Sequence, residues 1–201
     1  MIENTNERFA NLLRALAWTG ARLSTVRRVE ARHYGPSLKV WDVEGLYRDR
    51  KSHRKMVRRI WPSPQMVTMV ERLNQEHPDG PIFRNMNDKP YTGDGVTMTM
   101  FKLRERLKKQ TPPIELPVGL SVYGLRHTFA TQFIAQHPDK LEYLHELLGH
   151  KDLKMIRKHY GHLFDEHSAI HGVLDSLDLP DERSAPDASV QNGADHLKRC
   201  L

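Results

Sequence analysis

Most of this chain repeats apolar residues at the spacing of an α-helix, and only the region between residues 37 and 61 departs from that pattern. Helices are predicted at 6–18, 23–29, 64–73, 95–109, 123–135, 141–148 and 153–160. The departing region holds two short runs rich in β-branched and aromatic residues, SLKVWDV (37–43) and MVRRIW (56–61), which are typical of strands. Glu44-Gly45 and a basic segment are expected to separate the two strands. The sequence therefore predicts an α+β fold, mainly α, with a small antiparallel β-sheet.

The length of the chain, 201 residues, is sufficient for one sizeable hydrophobic core. Candidate core residues form stripes on the first and fourth predicted helices: Phe9, Leu12, Leu13, Leu16, Val96, Met100, Leu103 and Leu107. From about Pro180 the chain is rich in Pro, Ser, Asp, Asn and Gly and nearly free of large apolar groups. The predicted organisation is a folded domain over residues 1–179 and a disordered polar tail over residues 180–201.

Charge is distributed unevenly along the chain. Residues 164–201 hold eight Asp and Glu against three Lys and Arg, whereas residues 1–163 hold 28 Lys and Arg against 17 Asp and Glu. The basic body, with clusters such as KSHRKMVRR (51–59) and KLRERLKK (102–109), would attract a polyanion such as a nucleic-acid backbone. A solvated basic surface without a polyanionic partner would show the same composition.

Cysteine content and hydropathy indicate the cellular compartment. The N-terminal MIENTNER has no apolar signal region, and no run approaches the roughly 18 apolar residues of a membrane span. Cys200 is the single cysteine. These features predict a cytoplasmic protein without disulfides and without a membrane partner.

A histidine-rich stretch, HELLGHKDLKMIRKHYGHL (145–163), raises the possibility of a metal site. His145 and His150 are five residues apart, which places them ~140° apart around a helix, whereas the zinc-protease motif spaces its histidines by four. Gly149 is expected to end the preceding helix, so His150 would lie in a loop. We therefore predict no bound metal.

Four short blocks carry a family resemblance: TGARLS (19–24), GLRHTFAT (124–131), LLGH (147–150) and HYGHL (159–163). Each is weak alone, but their order and spacing together resemble the catalytic domain of tyrosine recombinases of the phage-integrase family. The resemblance runs from about residue 8 to residue 165. It implies a helical catalytic domain that acts on double-stranded DNA, with neither metal nor cofactor.

Two arginines in these blocks suit phosphoryl transfer on chemical grounds. A phosphodiester under attack spreads negative charge over its non-bridging oxygens, and the planar guanidinium of arginine can bind two of them while it stays ionised. Arg22 and Arg126 are the candidates. Either one by itself could equally be a surface arginine.

The resemblance assigns the remaining catalytic roles. Tyr160 would be the nucleophile that forms a covalent phosphotyrosine, and His150 would hydrogen-bond the phosphate or the tyrosyl oxygen. A lysine of the β-hairpin would protonate the leaving 5′-oxygen, and here Lys51 is favoured over Lys55. The other histidines of these blocks, His127 included, are expected to be capping or solvated groups.

Three departures from the family pattern accompany the resemblance. Tyr123 stands where the family usually has histidine, the interval from His150 to Tyr160 is one residue longer than is typical, and Thr25 replaces a common acidic residue. A phenol can hydrogen-bond a phosphate but is a poor base near neutrality. Tyr123, with Arg54 and Lys55 of the basic segment, is therefore a candidate contact to DNA phosphate.

The sequence as a whole predicts a site-specific recombinase or integrase of bacterial, phage or mobile-element origin. The resemblance implies that it cleaves and rejoins DNA through a 3′-phosphotyrosine link. It also implies a homotetramer on DNA, and the free protein is expected to be a monomer. Full-length members of the family also carry an N-terminal domain that clamps DNA, whereas here the catalytic blocks begin almost at residue 1. Whether this chain is a fragment or a minimal form, weak DNA affinity is expected of it. The alternatives are a topoisomerase-like nicking and closing enzyme and a catalytically decayed integrase that only binds DNA.

Residues 168–178, SAIHGVLDSLD, have apolar residues at helical spacing after the last block. The resemblance implies a helix that docks onto a neighbouring protomer. A plain closing helix of the same core fits the pattern equally well.

Overall fold

The computed structural model describes residues 2–48, 55–114, 121–150 and 153–161. Its elements are α1 (Glu7–Thr19), α2 (Leu23–Val26), β1 (Tyr34–Gly35), β2 (Val40–Arg48), β3 (Lys55–Ile60), α3 (Pro64–Glu76), α4 (Gly93–Lys108), α5 (Val122–Gln136), α6 (Leu141–Leu148) and α7 (Leu153–Tyr160). The expected mainly helical α+β fold with a small antiparallel sheet is confirmed. The expectations for residues 168–178 and for the tail over 180–201 lie outside the described residues.

The sheet has the strand order β1-β2-β3, and both pairings are antiparallel. Asp42 lies opposite Arg59, whose Nε and Nη2 donate to the two carboxylate oxygens at 2.7 Å each. This forked ion pair lowers the pKa of the Asp42 carboxyl, mainly through the hydrogen bond from Arg59. It also favours one register of the two strands, because a slip by one residue would turn the partners to opposite faces.

The expected break at Glu44-Gly45 is wrong. Both residues lie inside β2, where the pairing is irregular between Val43, opposite Arg58, and Tyr47, opposite Met56. A bulge accommodates the extra residues of β2 without ending the strand, so β2 continues to Arg48. The hairpin is therefore longer than the sequence predicted.

The second predicted helix is shorter than expected, since α2 ends at Val26 and not at residue 29. After the turn the carbonyl of Val29 accepts a hydrogen bond from the Ile82 amide at 2.9 Å, next to a bridge between Glu30 and Pro81. Extended pairing with a distant segment thus replaces the last helical turn. Val29 is still buried, as its apolar character predicted.

The buried side chains form two clusters. The larger one joins α1, α3, α4 and the sheet, and it contains the predicted stripes Phe9, Leu12, Leu13, Leu16, Val96, Met100, Leu103 and Leu107. The smaller one joins α5, α6 and α7 through Ala130, Ile134, Leu144, Leu148, Ile156 and Tyr160. α5 packs against α1, so the two clusters meet along α5.

Helix ends are set by local signals. Asn6, Thr92 and Ser121 cap α1, α4 and α5, each accepting a hydrogen bond from a backbone amide of the first turn. α4 thus begins at Gly93, slightly before the predicted start. Gly20 ends α1 and Gly149 ends α6, both in the left-handed conformation that glycine adopts without steric cost. Among the described segments, no helix has both the length and the apolar character needed to cross a bilayer.

Candidate active site

Arg126 joins the C-terminal ends of two helices. Its Nη1 donates to the carbonyl oxygens of Gly20 (2.7 Å) and Leu148 (2.9 Å), which belong to the ends of α1 and α6. Arg126 lies on α5 and is only 4% exposed. The negative ends of two helix dipoles compensate for burying this guanidinium. Burial nevertheless lowers the pKa of Arg126 to about 10, and the nearby Arg22 contributes to this.

Two further arginines bind the same end of α6. Arg58 of β3 donates to the carbonyl oxygens of Glu146 (2.8 Å) and Leu147 (2.6 Å), and Arg22 donates to that of Gly149 (3.3 Å). With Arg126 on Leu148, four consecutive carbonyls therefore each accept from a guanidinium. The last turn of α6 is held by three elements that are distant in sequence.

The close approach of Arg58 explains why residue 149 is a glycine. A Cβ built at Gly149 would lie 2.3 Å from Cζ of Arg58, and the backbone φ there is +65°. Any larger side chain would displace the guanidinium and would also be strained in this conformation. Gly149 thus allows Arg58 to lie directly under the turn that carries His150.

His150 follows this turn and contacts Arg126, with 2.7 Å between its Nε2 and Nη2 of the arginine. Because arginine can only donate, Nε2 must be unprotonated, and the neutral ring carries its hydrogen on Nδ1. Nδ1 is buried and has no hydrogen-bond partner among the described residues. Desolvation, together with Arg126 and Arg22, lowers the pKa of His150 from 6.5 to about 4.

The lowered pKa of His150 makes folding stability depend on pH. Between pH 6.5 and about 4 the unfolded chain takes up a proton at this histidine and the folded protein does not, so stability should fall as the pH falls through this window. His150→Gln keeps an acceptor for Arg126 but does not titrate. Between pH 7 and pH 4.5, the free energy of unfolding by urea should fall on the order of 1 kcal/mol more for the wild type than for the variant. Solvent around the partly exposed site keeps this difference small. Equal losses would contradict the neutral, acceptor state of His150.

Tyr160 ends α7 and its ring belongs to the smaller cluster, where the residue is only 4% exposed. Its hydroxyl is 3.1 Å from Nδ1 of His127, the neighbour of Arg126 on α5. Desolvation raises the pKa of the Tyr160 phenol, and Arg126 is close enough to oppose that shift. The expectation that His127 is a capping or solvated group is therefore wrong, because its ring contacts the hydroxyl of Tyr160 at the end of α7. Its neighbour Arg126 binds the end of α6.

A cleft of about 560 Å³ opens beside Arg22 and Arg126. α4 and the start of α5 supply its other walls, with Arg104, Phe101 and Tyr123 among the lining residues. Tyr123 is 62% exposed, and its ring lies edge-on to that of His127 at 4.6 Å between centroids. The cleft is thus open to solvent, basic, and continuous with the two arginines.

The structure brings four of the five residues with predicted catalytic roles to one place. Arg22, Arg126 and His150 surround the end of α6, and Tyr160 adjoins them through His127. Lys51, the fifth, and Arg54, a predicted DNA contact, lie outside the described residues. Lys55 begins β3 opposite Arg48, at the end of the hairpin that leads into Arg58. Among the residues described, no three His, Cys, Asp or Glu side chains are grouped to hold a metal ion.

Sequence reasoning missed two residues of this site, His127 and Arg58. His127 directly follows Arg126, and its position on a helix was a usable signal, since neighbours on a helix lie about 100° apart and can serve two adjoining sites. Arg58 gave no such signal. It is one of many basic residues in KSHRKMVRR, and only the packing of β3 against α6 distinguishes it.

A mainly helical domain that gathers two arginines, a histidine and a buried tyrosine beside a basic cleft has the features of a phosphoryl-transfer site. The chain belongs to the phage integrase family, whose model matches residues 1–167. No curated protein sequence matches the chain at a significant level.

Solved structures share the fold. The Tn1549 transposon integrase, in complex with circular intermediate DNA, matches with a TM-score of 0.65 and 19% identity over 83% of this chain and 57% of that one. The XerH site-specific recombinase bound to difH substrate matches with a TM-score of 0.58 and 16% identity over 86% of this chain and 50% of that one. The catalytic domain of bacteriophage HP1 integrase gives 0.53 and 22%, over 86% and 85%. The chain thus spans about half the length of the first two.

Proposed function

We propose that the protein is a site-specific DNA recombinase that cleaves and rejoins strands through a 3′-phosphotyrosine intermediate. The observation that carries this proposal is the placement of the Tyr160 hydroxyl, hydrogen-bonded to His127, next to the cluster of Arg22, Arg126 and His150. The two arginines line an open basic cleft, and the candidate nucleophile adjoins them through His127. Membership of the phage integrase family supports the same activity.

In the proposed reaction the scissile phosphate of double-stranded DNA lies between Arg22 and Arg126. Arg126 uses both Nη1 hydrogens and one on Nη2 for the carbonyls and His150, so its Nε–H and its second Nη2 hydrogen can donate to a non-bridging oxygen. Arg22 is exposed and makes one long hydrogen bond within the described part of the chain, so it can turn to the phosphate at little cost. His150 would supply its Nδ1–H, which has no partner among the described residues, to the phosphate. Together these donors would stabilise the negative charge that develops on the phosphate in the transition state.

Covalent catalysis then proceeds in two steps. Tyr160 attacks phosphorus, the bond to the 5′-oxygen breaks, and Lys51 protonates that oxygen. A 5′-hydroxyl of a partner strand later attacks the phosphotyrosine and releases Tyr160. The reaction is proposed to need no metal ion or other cofactor, since the positive arginines neutralise the phosphate charge that a metal ion neutralises in other enzymes. Four protomers on two duplexes, each a monomer when free, would carry out a complete exchange.

A covalent adduct on a nicked suicide duplex tests the proposed activity. The wild-type protein should become linked to the 3′-phosphate, because loss of the short 5′ fragment prevents religation. Tyr160→Phe should form no adduct, since it removes only the attacking oxygen and keeps the ring in its cluster. Gel shift of labelled DNA under denaturing conditions is the measurement.

Tyr143→Phe is the matched control, because Tyr143 is 56% exposed and lies on the neighbouring helix α6. This variant should form the adduct at the wild-type level. An adduct with Tyr160→Phe would refute the assignment of the nucleophile. If the wild-type protein itself forms no adduct, the protein is the decayed form that only binds DNA. Exchange between two duplexes would then separate a recombinase from a nicking and closing enzyme.

A further inference from the structure

Attack by Tyr160 requires that its phenol lose a proton, and the site offers few acceptors. Burial raises the pKa of this phenol, so the fraction ionised at neutral pH is small without a base. His150 is a poor acceptor because its unprotonated nitrogen, Nε2, already accepts from Arg126. His159, the neighbour of Tyr160, contacts it only ring to ring, at 6.4 Å between centroids.

His127 meets the geometric requirement for the base. Its Nδ1 lies 3.1 Å from the Tyr160 hydroxyl, within direct proton-transfer distance. The ring is held on two sides, by Tyr160 of α7 with centroids 5.6 Å apart and by Tyr123 of the preceding turn of α5 at 4.6 Å. Its chain neighbour Arg126 donates through Nη1 to the carbonyls of Gly20 and Leu148.

We propose that His127 is a catalytic residue, the general base that takes the proton of Tyr160 during strand cleavage. This inference rests on the proposed strand-transfer function. It assigns to His127 a proton transfer at the attacking oxygen, separate from the proton that a lysine gives to the leaving oxygen.

The step balances as follows. His127 carries its hydrogen on Nε2, and Nδ1 accepts the O–H of Tyr160. As the phenolic oxygen bonds to phosphorus, its proton passes to Nδ1 and the ring becomes imidazolium, while the 5′-oxygen leaves with a proton from the lysine. In rejoining, the 5′-hydroxyl attacks, the bond from phosphorus to Tyr160 breaks, and the imidazolium returns its proton to the phenolate. The ring is neutral again after a full cycle.

The test is the pH profile of single-turnover cleavage on the suicide duplex, with saturating protein. His127→Asn keeps an acceptor oxygen near the position of Nδ1 but cannot hold a proton. Near pH 7 it should cleave about 100-fold more slowly than the wild type, or slower still. Its rate should rise about tenfold per pH unit as the ionised fraction of Tyr160 rises, whereas the wild-type rate should reach a plateau, because His127 already accepts the proton. A purely structural role would lower the rate by one factor at every pH, and that result would overturn the proposal.

Two substitutions at the reacting oxygens locate the defect. A fluorinated tyrosine at position 160 has a more acidic phenol and needs less help from a base, so it should restore much of the rate of His127→Asn near pH 7. Sulfur in place of the bridging 5′-oxygen helps only the leaving group and should restore nothing. Rescue by sulfur alone would place His127 on the leaving side and refute the proposal.

Control measurements keep the inference falsifiable. His159→Asn alters the other histidine beside Tyr160 and should keep the wild-type plateau. If His127→Asn does not fold, NMR titration of the wild-type His127 ring replaces it, and its midpoint must coincide with the pH at which the wild-type rate halves; a mismatch overturns the proposal. Failure of the wild type to form any adduct would instead refute the proposed function itself.

Discussion

Replacing Lys51 by Ala should abolish cleavage of an ordinary duplex and leave cleavage of a 5′-phosphorothiolate duplex intact. Lys51 is proposed to protonate the leaving 5′-oxygen, and an alkoxide leaves poorly without that proton. A sulfur atom at this bridging position leaves readily as the thiolate anion and needs no acid. We expect a loss of about 100-fold or more on the oxygen substrate and near wild-type cleavage on the sulfur substrate, measured as adduct formed in a single turnover.

Two variants control this experiment. Tyr160→Phe should be inactive on both substrates, because it lacks the attacking oxygen. Lys55→Ala decides between the two hairpin lysines: Lys55 begins β3 opposite Arg48, four residues after Lys51. If Lys55→Ala is rescued by sulfur and Lys51→Ala is unimpaired, Lys55 is the acid. If neither variant shows rescue, the acid lies elsewhere in the site.

Local patterns predicted the helices well because each helix carries its own signals. The helices at 141–148 and 153–160 begin and end as predicted, since a leucine stripe and Gly149 delimit the first. The sheet was predicted in kind but not in extent. Glu44-Gly45 is an ordinary turn signal, and only pairing with β3 converts it into a bulge within a longer strand.

The candidate site likewise has residues that the sequence predicted and residues that it could not predict. Arg22, Arg126, His150 and Tyr160 were identified because each lies in a short block that resembles a family motif, and the structure brings them together. The supporting groups could not be identified from the sequence. Arg58 binds carbonyls 88 and 89 residues away, and its role follows from the tertiary packing of β3 against α6.

The two arginines of the site differ in what they do for the fold. Arg126 is buried and bridges the ends of α1 and α6. Arg22 is exposed, and its one hydrogen bond to a described residue, at 3.3 Å, is to the carbonyl of Gly149. Both are proposed to bind the same phosphate. Substitution by lysine, which keeps the charge and loses the planar fork, should therefore separate the catalytic role from the structural one.

Arg126→Lys should lose both activity and stability. A single ammonium group cannot reach the carbonyls of Gly20 and Leu148 and Nε2 of His150 together, so buried acceptors lose their partner. We expect a loss of about 1–3 kcal/mol in the free energy of unfolding by urea, and a fall of about 100-fold or more in single-turnover cleavage. Arg22→Lys is the matched control: it should lower cleavage while the free energy of unfolding stays within about 0.5 kcal/mol of the wild type. Equal stability of the two variants would show that the Arg126 bridge does not hold α1 and α6 together.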